Sequence, residues 1–301
     1  MFHVKHTNME ELKSCPVCEN IKTRIFLECP DHFLSHEKFT LVECENCKFV
    51  FVNPRPAENE LSAYYESPDY ISHTATKKGL INFVYIKVRE LTLKRKFTLV
   101  NKFTSGKSIL DIGCASGELL NEFKNNGWKT LGIEPNENAR RSASENYGLQ
   151  VEEESFLNKI EKGTFDVISM WHVLEHVSNL QERMKQLSTI VKDDGILVIA
   201  LPNRKSFDAV FYEKFWAAYD VPRHLYHFSP ENVELLFSRY GFKLISKLPM
   251  KFDSYYVSML SEKYKTGKSG FLKGLYRGFV SNSRARKNSD NYSSLIYIFK
   301  K

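Results

Sequence analysis

Between residues 108 and 200 the sequence alternates short apolar runs with longer segments of helical period. The runs have the length and composition of buried strands. They lie at Ser108–Ile112, Lys129–Glu134, Leu149–Val151, Phe165–Met170 and Gly195–Ala200. Helices are expected between them, over 136–147 and Leu180–Ile190. Strands that alternate with helices indicate a mostly parallel, doubly wound, Rossmann-like α/β sheet with helices on both faces.

The segments outside this alternation complete the predicted fold. Strand-like Phe242–Leu248 and Ser294–Phe299 lack a simple crossover helix, which predicts seven strands with an antiparallel C-terminal edge. Residues 254–290, between these two strands, have the pattern of a two-helix insertion. Further helices are expected at 57–66, 79–103 and 230–240. The predicted units are a small module over 1–53, a helical linker or lid over 54–104 and an α/β domain over 105–301.

Four of the six cysteines form two C-x-x-C pairs, Cys15 with Cys18 and Cys44 with Cys47. The N-terminus lacks the apolar run of a secretory signal, and no run is long enough to span a membrane, so a cytoplasmic protein is expected. In that compartment the pairs favour a metal over disulfides. Two such turns, flanked by a hairpin of 39–42 and 49–52, predict the closed four-cysteine shell of structural zinc. This zinc would supply folding energy and no catalytic position.

Residues Asp111–Gly117 lie between a predicted buried strand and a helix. A glycine turn there lets the backbone approach a ligand, and the helix N-terminus offers free N–H groups. Glu134 ends the next predicted strand, where a carboxylate can accept both hydroxyls of a ribose. A dinucleotide favours G-x-G-x-x-G, but the second and third positions are Ala115 and Glu118, and Glu118 would repel a pyrophosphate. An adenosyl cofactor without phosphate meets neither objection.

The turn Asp111-x-Gly113-x-Ala115-x-Gly117 resembles the first motif of class I S-adenosylmethionine-dependent methyltransferases, usually [DE]-x-G-x-G-x-G. Residues 165–168 followed by Trp171–Val177 are similar to the fourth motif of the branch that includes ubiquinone and menaquinone methyltransferases. The resemblance covers about residues 105–250 and, by topology, the final strand. Ala115 departs from the usual middle glycine but is small. The cofactor contacts expected are Asp111, Gly113, Ala115, Gly117, Glu134, Pro135, Ser155, Phe156, Trp171, His172 and Tyr70.

Methyl transfer to a hydroxyl requires an aligned nucleophile and a group that removes its proton. Histidine suits that role, and our first candidate is His224, in the aromatic loop after the strand at 195–200. His172 lies at the sheet edge where ligands bind and is a second catalytic candidate. With Glu175 and His176 it has the spacing of one helical face, which suits a hydrogen-bonded network or a divalent metal. The predicted substrate contacts are Arg223 for an anionic group, Tyr65, Trp216 and Tyr219.

The predicted insertion is basic, with eight Lys and Arg residues and no acid from Lys263 to Lys287. Apolar side chains are interleaved, which suits an anionic lipid surface, a cover over the active site, RNA phosphates or a solvated helix. The formal net charge of +7 is mild for 301 residues. The [DNS]-P-P-[YF] motif of base-nitrogen methylation is replaced by residues 170–173, Met-Trp-His-Val. A nucleic-acid partner is therefore disfavoured.

The resemblance implies an S-adenosylmethionine-dependent enzyme that methylates a small-molecule acceptor. We expect O-methylation of a metabolite, a lipid, a quinone-like ring or a sugar, and methylation at carbon or nitrogen stays open. An RNA methyltransferase and a non-catalytic cofactor-binding module are the alternatives. A zinc ribbon ahead of such a domain resembles a recurrent bacterial arrangement. The oligomeric state does not follow from the sequence.

Overall fold

The computed structural model describes residues 8–65 and 80–301, with side chains of the second range from Arg89 onward. The strands are β1 Met9–Glu10, β2 Thr23–Pro30, β3 Lys38–Cys44, β4 Val50–Val52, β5 Arg55–Pro56, β6 Ser108–Ile112, β7 Lys129–Ile133, β8 Val151–Glu152, β9 Phe165–Trp171, β10 Val191–Pro202, β11 Tyr226–His227, β12 Lys243–Pro249 and β13 Ser294–Lys300. The helices are α1 Glu58–Leu61, α2 Leu80–Phe103, α3 Glu118–Asn125, α4 Glu137–Tyr147, α5 Leu180–Ile190, α6 Phe207–Tyr212, α7 Pro230–Ser238, α8 Asp253–Thr266 and α9 Phe271–Ala285. Short 3-10 helices lie at Ser62–Tyr65, Glu154–Lys159, Leu174–His176, Glu213–Phe215, Ala217–Tyr219 and Ser289–Asn291.

The central sheet has seven strands in the order β12-β13-β10-β9-β6-β7-β8. The strands from β10 to β8 run parallel to one another, while β13 is antiparallel to both β10 and β12. The predicted doubly wound α/β class with an antiparallel C-terminal edge is therefore confirmed. Because the carboxyl ends of β6, β7, β9 and β10 meet at one edge, the loops that follow these strands lie side by side.

Both faces of this sheet are buried, which explains the nearly continuous apolar runs of its strands. Along β6, Leu110 and Ile112 belong to one core while Ile109 belongs to the other, as the two-residue period of a strand requires. Helix α2 packs on the second core through Val100 and Phe97. The segment predicted as a linker or lid thus carries a helix that helps to cover the sheet.

The N-terminal module has a four-stranded sheet in the order β11-β4-β3-β2. The predicted hairpin is present, since β3 and β4 pair antiparallel with Leu41 opposite Val52. Strand β11 comes from the α/β domain and pairs with β4, with Tyr226 opposite Phe51. The α/β domain therefore supplies the edge strand of the module, while the boundary at residue 53 stays a sequence prediction.

The insertion is the predicted pair of helices, α8 and α9. Glycines let the two helices approach closely: a Cβ on Gly274 would lie 2.4 Å from the Met259 Cα, and one on Gly278 2.7 Å from the Tyr255 Cα. Both glycines are buried, so the opposite side of α9 faces outward. Among the described residues, no helix has the length and apolar character needed to cross a membrane.

Candidate active site

The turn after β6 has the backbone conformation that the glycine motif predicts. Gly113 and Gly117 have φ values of 74° and 80°, and Gly117 starts α3. A Cβ on Gly113 would lie 2.4 Å from Val173 Cγ2, so a larger residue does not fit. Ala115, at the position of the usual middle glycine, also has a positive φ of 48°. The turn is therefore a close backbone cradle, and Ala115 holds a conformation that favours glycine.

Glu134 follows β7 and lies against this turn. One carboxylate oxygen accepts a hydrogen bond from the Ala115 N–H at 3.0 Å, and the other accepts one from the Asn136 N–H at 2.9 Å. The side chain is only half-buried, so its oxygens stay accessible to a ligand. This geometry places a carboxylate beside the loop, where the hydroxyls of a ribose would need it.

Asp111 lies at the end of β6, just before the same turn, and its side chain is buried. Ser169 Oγ donates a hydrogen bond to its carboxylate at 2.5 Å, while burial raises the pKa of Asp111 to about 6. Lys96 on α2 stands near, with its Nζ 4.0 Å from the ring centroid of Trp171. Burial lowers the pKa of Lys96, and the carboxylates of Asp111 and Asp253 oppose that effect. Lys96 is thus a basic side chain beside Trp171 that the sequence did not predict.

The other predicted cofactor contacts lie on the loops around this edge. Trp171 ends β9, and its buried Nε1 has no hydrogen-bond partner among the described residues. Phe156 is half-buried, while Pro135 and Ser155 are exposed. Tyr70 lies outside the described residues. These four described positions are compatible with the predicted contacts, which stay predictions.

His172 follows β9 in a left-handed conformation with φ of 57°, which marks a constrained position. Its Nε2 lies 3.1 Å from Asp253 Oδ2, and its Nδ1 lies 3.4 Å from Glu175 Oε1. Burial disfavours the imidazolium, but the two carboxylates outweigh burial and raise the pKa of His172 to about 10. His172 is therefore protonated at neutral pH and is not available as a base.

A different cluster forms from the residues predicted to share one helical face with His172. The chain makes a 3-10 turn at Leu174–His176 rather than an α-helix. The prediction that the three residues share one helical face is therefore wrong. Instead Glu175 and His176 meet His224, with one nitrogen or oxygen of each residue within 4.8 Å of the others. Glu175 is fully buried; its Oε1 faces His172 Nδ1 at 3.4 Å, and its Oε2 has no hydrogen-bond partner among the described residues. Burial would raise the pKa of Glu175, but the His172 imidazolium holds it below the ordinary value.

Main-chain carbonyl oxygens assign the proton positions on the two histidines of this cluster. The Nδ1 atom of His224 lies 2.9 Å from Ala218 O, and that of His176 lies 3.0 Å from Arg223 O. Because a carbonyl oxygen only accepts, Nδ1 is the donor on each ring, and Nε2 of a neutral ring keeps its lone pair. Burial and the neighbouring His224 lower the pKa of His176 to about 4. Tyr65 Oη also lies 2.9 Å from His176 Nδ1.

A cavity of about 470 Å³ opens beside this cluster. Its polar lining includes His172, His224, Asp220 and Asp253, and its aromatic lining comprises Phe33, Phe252, Tyr256 and Tyr264. His224 Nε2 lies 4.0 Å from Asp220 Oδ2. A cavity of this size holds a small molecule. The arrangement can surround an apolar ring and place a hydroxyl near a histidine lone pair.

Comparison with known proteins agrees with this geometry. A family described as "Methyltransferase domain" matches residues 85–247, just over half of the chain. The chain belongs to the methyltransferase domain family. The ubiquinone biosynthesis O-methyltransferase of Coxiella burnetii (strain Dugway 5J108-111) is 30% identical over 149 residues, which cover 46% of this chain and 58% of that protein. The enzyme of the same name from Glaesserella parasuis serovar 5 (strain SH0165) is 33% identical over 110 residues, 33% of this chain and 47% of that protein.

The chain thus spans about half the length of the curated relatives it matches. Among solved structures, a putative sarcosine dimethylglycine methyltransferase from Galdieria sulphuraria has a TM-score of 0.50 and 13% identity. That alignment covers 72% of this chain and 86% of the other. At this identity the similarity shows the fold alone.

The structure corrects three substrate contacts predicted for the methyltransferase. Arg223 borders the cavity, but its guanidinium is 1% exposed and pairs with Asp31 at 3.0 Å and Asp220 at 2.7 Å. Its charge is already compensated, so it fixes the loop instead of holding a substrate anion. Trp216 and Tyr219 are buried in a core shared with the N-terminal module. The fourth predicted contact, Tyr65, reaches His176 and stays a prediction.

Several residues at the cavity were not predicted from the sequence. Phe33 comes from the N-terminal module, and Asp253 starts α8, so only the tertiary fold brings them to His224. Asp220 had a weak signal, because it stands four residues before His224 in the same aromatic loop. The cavity therefore depends on chain segments that the sequence motifs do not include.

The four predicted zinc ligands of the methyltransferase come together. The Sγ atoms of Cys15 and Cys47 are 3.5 Å apart, as are those of Cys18 and Cys44. All four sulfur atoms lie within 4.8 Å of one another. A tetrahedral zinc with bonds of ~2.3 Å separates its sulfur ligands by about 3.8 Å. The cluster therefore fits the size of a zinc shell, and all six cysteines are free of disulfides.

Proposed function

We propose that this methyltransferase transfers the methyl group of S-adenosylmethionine to a hydroxyl of a small-molecule acceptor. The observation that carries the proposal is His224, whose Nε2 keeps a lone pair in a cavity with aromatic walls. The names of the two relatives, both ubiquinone biosynthesis O-methyltransferases, support an O-methylation. An RNA substrate and a non-catalytic role have no comparable support.

The residues of the first half of the site fit the proposed cofactor. The glycine turn lets the backbone approach a ligand closely. S-adenosylmethionine carries no phosphate, so the turn does not have to bind one. Glu134 would hold the ribose hydroxyls, since its carboxylate lies beside Ala115 and is half-buried. When bound, S-adenosylmethionine supplies an electrophilic methyl group on a sulfonium.

In the proposed reaction the protein aligns the acceptor and removes its proton. The acceptor hydroxyl gives its proton to His224 Nε2, while the carbonyl of Ala218 holds the opposite N–H in place. Asp220, with its carboxylate 4.0 Å from Nε2, would stabilise the imidazolium that results. His172, held between the carboxylates of Asp253 and Glu175, would fix the turn after β9 at the edge of the acceptor cavity.

The test of this proposal is titration calorimetry with S-adenosylmethionine, followed by transfer of a labelled methyl group to catechol as the probe acceptor. The wild type should bind the cofactor, and Glu134→Ala should lose about tenfold to a hundredfold in affinity with the ribose contact. Glu137→Ala, an exposed carboxylate on the neighbouring α4, is the matched control and should bind normally. A wild type that binds no cofactor would refute the proposal.

We also propose that Cys15, Cys18, Cys44 and Cys47 hold one structural zinc ion. The sulfur separations support it, and a closed shell leaves no position for substrate. Elemental analysis should find one zinc per chain, and Cys44→Ser should lower both zinc content and thermal stability. A metal-free protein with unchanged stability would contradict the site.

For the basic insertion we propose contact with an anionic lipid surface. Four large apolar side chains of α9 are 55–79% exposed: Phe271, Leu272, Tyr276 and Phe279. The surrounding span 263–287 has no acid, and Phe252 and Tyr256, which line the cavity, are also exposed. Apolar and basic groups on one helix are the pattern of interfacial binding. Phosphatidylglycerol vesicles should bind the wild type better than Leu272→Glu. Salt-dependent binding of RNA instead would point to nucleic acid.

A further inference from the structure

A loop of the N-terminal module, residues 31–36, borders the cavity at the edge of the central sheet. Phe33 in this 31–36 loop lines the cavity together with Asp220, Arg223 and His224. We propose that the 31–36 loop is a wall of the acceptor pocket and that Phe33 is a specificity-determining residue. The proposal rests on the proposed methyl transfer, because it assigns an acceptor contact in the same cavity. It makes the cysteine-rich module part of the acceptor site.

Asp31 gives the 31–36 loop its shape. This carboxylate is fully buried and accepts hydrogen bonds from the backbone N–H groups of Phe33 at 3.0 Å, Leu34 at 3.2 Å and Ser35 at 2.8 Å. Ser35 Oγ adds a fourth at 3.0 Å. Several donors on one carboxylate fix a turn strongly. The direction in which Phe33 leaves the backbone is therefore set by Asp31.

Asp31 also joins this loop to the loop that carries His224. Its Oδ1 lies 3.0 Å from Arg223 Nη2, and both side chains are buried. The same guanidinium binds Asp220 through two nitrogens, at 2.7 and 3.1 Å, and stands 4.9 Å from the ring centroid of Phe33. Arg223 thus holds the aromatic ring of the module and the histidine loop in one fixed arrangement.

A second contact fixes the loop to α8, which forms another part of the cavity. The His32 ring stacks on Tyr264, with centroids 4.9 Å apart and planes 15° from parallel. His32 Nε2 also lies 3.0 Å from Lys214 O. Tyr264 itself lines the cavity. The 31–36 loop therefore contacts both chain segments that complete the pocket.

The cysteine cluster is tied to the same assembly. Asn232 Nδ2, on α7, donates to Cys47 O at 2.8 Å, and β4, which follows the last cysteine pair, pairs with β11 just after His224. Loss of zinc from this cluster would loosen β4 and with it the 31–36 loop. Acceptor binding would then weaken while the cofactor turn, which has no contact with the loop in the described contacts, would keep its geometry.

The first test is acceptor selectivity. Catechol and the bulkier 4-tert-butylcatechol serve as probe acceptors for Phe33→Ala and Phe33→Trp. Phe33→Ala should raise the KM for catechol about tenfold, because an aromatic contact is lost, and shift the kcat/KM ratio toward the bulkier probe. Phe33→Trp should shift the ratio the other way, and cofactor affinity should not change. Phe26→Ala, an aromatic of the same module outside the cavity lining, is the control. An unchanged ratio in both Phe33 variants would overturn the proposal.

The second test needs no turnover and separates this proposal from the proposed function. Hydrogen exchange is compared between the wild type and Asp31→Asn, with circular dichroism and cofactor affinity as checks on folding. Backbone amides of 217–225 should exchange at least tenfold faster in the variant, while those of 111–117 stay protected. If the wild type methylates neither probe, the proposed acceptor class fails, and the exchange result still decides the role of the loop. Equal protection of 217–225 in both proteins would overturn that role.

Discussion

The two halves of the active site are built in opposite ways. The cofactor half is one continuous turn, Asp111–Gly117, and Glu134, which lie together because β6 and β7 are neighbours. The acceptor half is assembled from segments that are far apart in the chain: 31–36, 172–176, 217–224 and 252–264. The first half therefore depends on local backbone geometry, and the second depends on long-range contacts. Single substitutions should separate the two.

The largest expected effect belongs to the acceptor half. His224→Asn keeps a donor for Ala218 O but has no base, so we expect kcat with catechol to fall by roughly a hundredfold to ten-thousandfold. Cofactor affinity should not change, because His224 has no contact with the glycine turn among the described contacts. Initial rates and titration calorimetry measure the two quantities.

The control for this prediction is Glu145→Gln, an exposed side chain on α4 outside the cavity lining. A loss smaller than tenfold in His224→Asn would remove the base from the mechanism. Metal analysis gives a second check. Two metal ions per wild-type chain, reduced to one in His224→Asn, would make His224 a metal ligand with Glu175 and His176.

The next effect tests whether the acceptor half depends on one buried ion pair. Asp31→Asn leaves the buried Arg223 with Asp220 as its one carboxylate partner, and we expect the free energy of unfolding to fall by about 3 kcal/mol. Burial opposes ionisation of Asp31, but Arg223 and the backbone N–H groups hold its pKa below the ordinary value. The stability it contributes is therefore fully present above about pH 4 and is lost as the pH falls through the lower native pKa.

Urea unfolding at pH 7 and at pH 3 measures this prediction. The difference between wild type and Asp31→Asn should shrink at the lower pH, because Asp31 of the unfolded chain is then largely protonated and the folded state must give up its ion pair to match it. Asp194→Asn, an exposed carboxylate at the other end of β10, should unfold like the wild type. Equal stability of Asp31→Asn and wild type at pH 7 would show that the pair does not hold the two loops together.

The same contrast explains how much of the molecule the sequence predicts. The glycine turn, the cysteine pairs and most strands are contiguous patterns that the structure has where the sequence placed them, although the short strand predicted at Leu149–Val151 is Val151–Glu152. Arg223 was misassigned because a charged residue in a loop resembles a ligand contact, while its partner Asp31 lies 192 residues away. Phe33 and Asp253 carry no local signal, since only packing brings them to the cavity. Periodicity in the sequence indicates local secondary structure. The acceptor half depends mainly on long-range contacts, which periodicity does not indicate.

A smaller effect concerns the link between the insertion and the sheet edge. Asp253 raises the pKa of His172 together with Glu175, to about 10 against an ordinary value near 6.5. A raised pKa stabilises the folded state fully below about pH 6.5, and this stabilisation is lost as the pH rises toward 10. Asp253→Asn should therefore lower the urea midpoint at pH 6 and make its decline between pH 6.5 and 10 shallower. A parallel decline in both proteins would mean that Asp253 does not set the charge of His172.

The smallest effect tests the cofactor half, where one residue departs from the usual pattern. Ala115 has φ of 48°, a conformation that costs an alanine about 1 kcal/mol and costs glycine nothing. Glycine loses more backbone entropy on folding, by roughly 0.5–1 kcal/mol, so Ala115→Gly should change stability by less than about 1 kcal/mol. Gly113→Ala, at φ of 74° and 2.4 Å from Val173 Cγ2, should instead destabilise the protein and abolish cofactor binding. Thermal unfolding and calorimetry of the two variants compare neighbouring positions of one turn. If the two variants had the same stability and cofactor affinity, the backbone conformation of the turn would not determine which residues it tolerates.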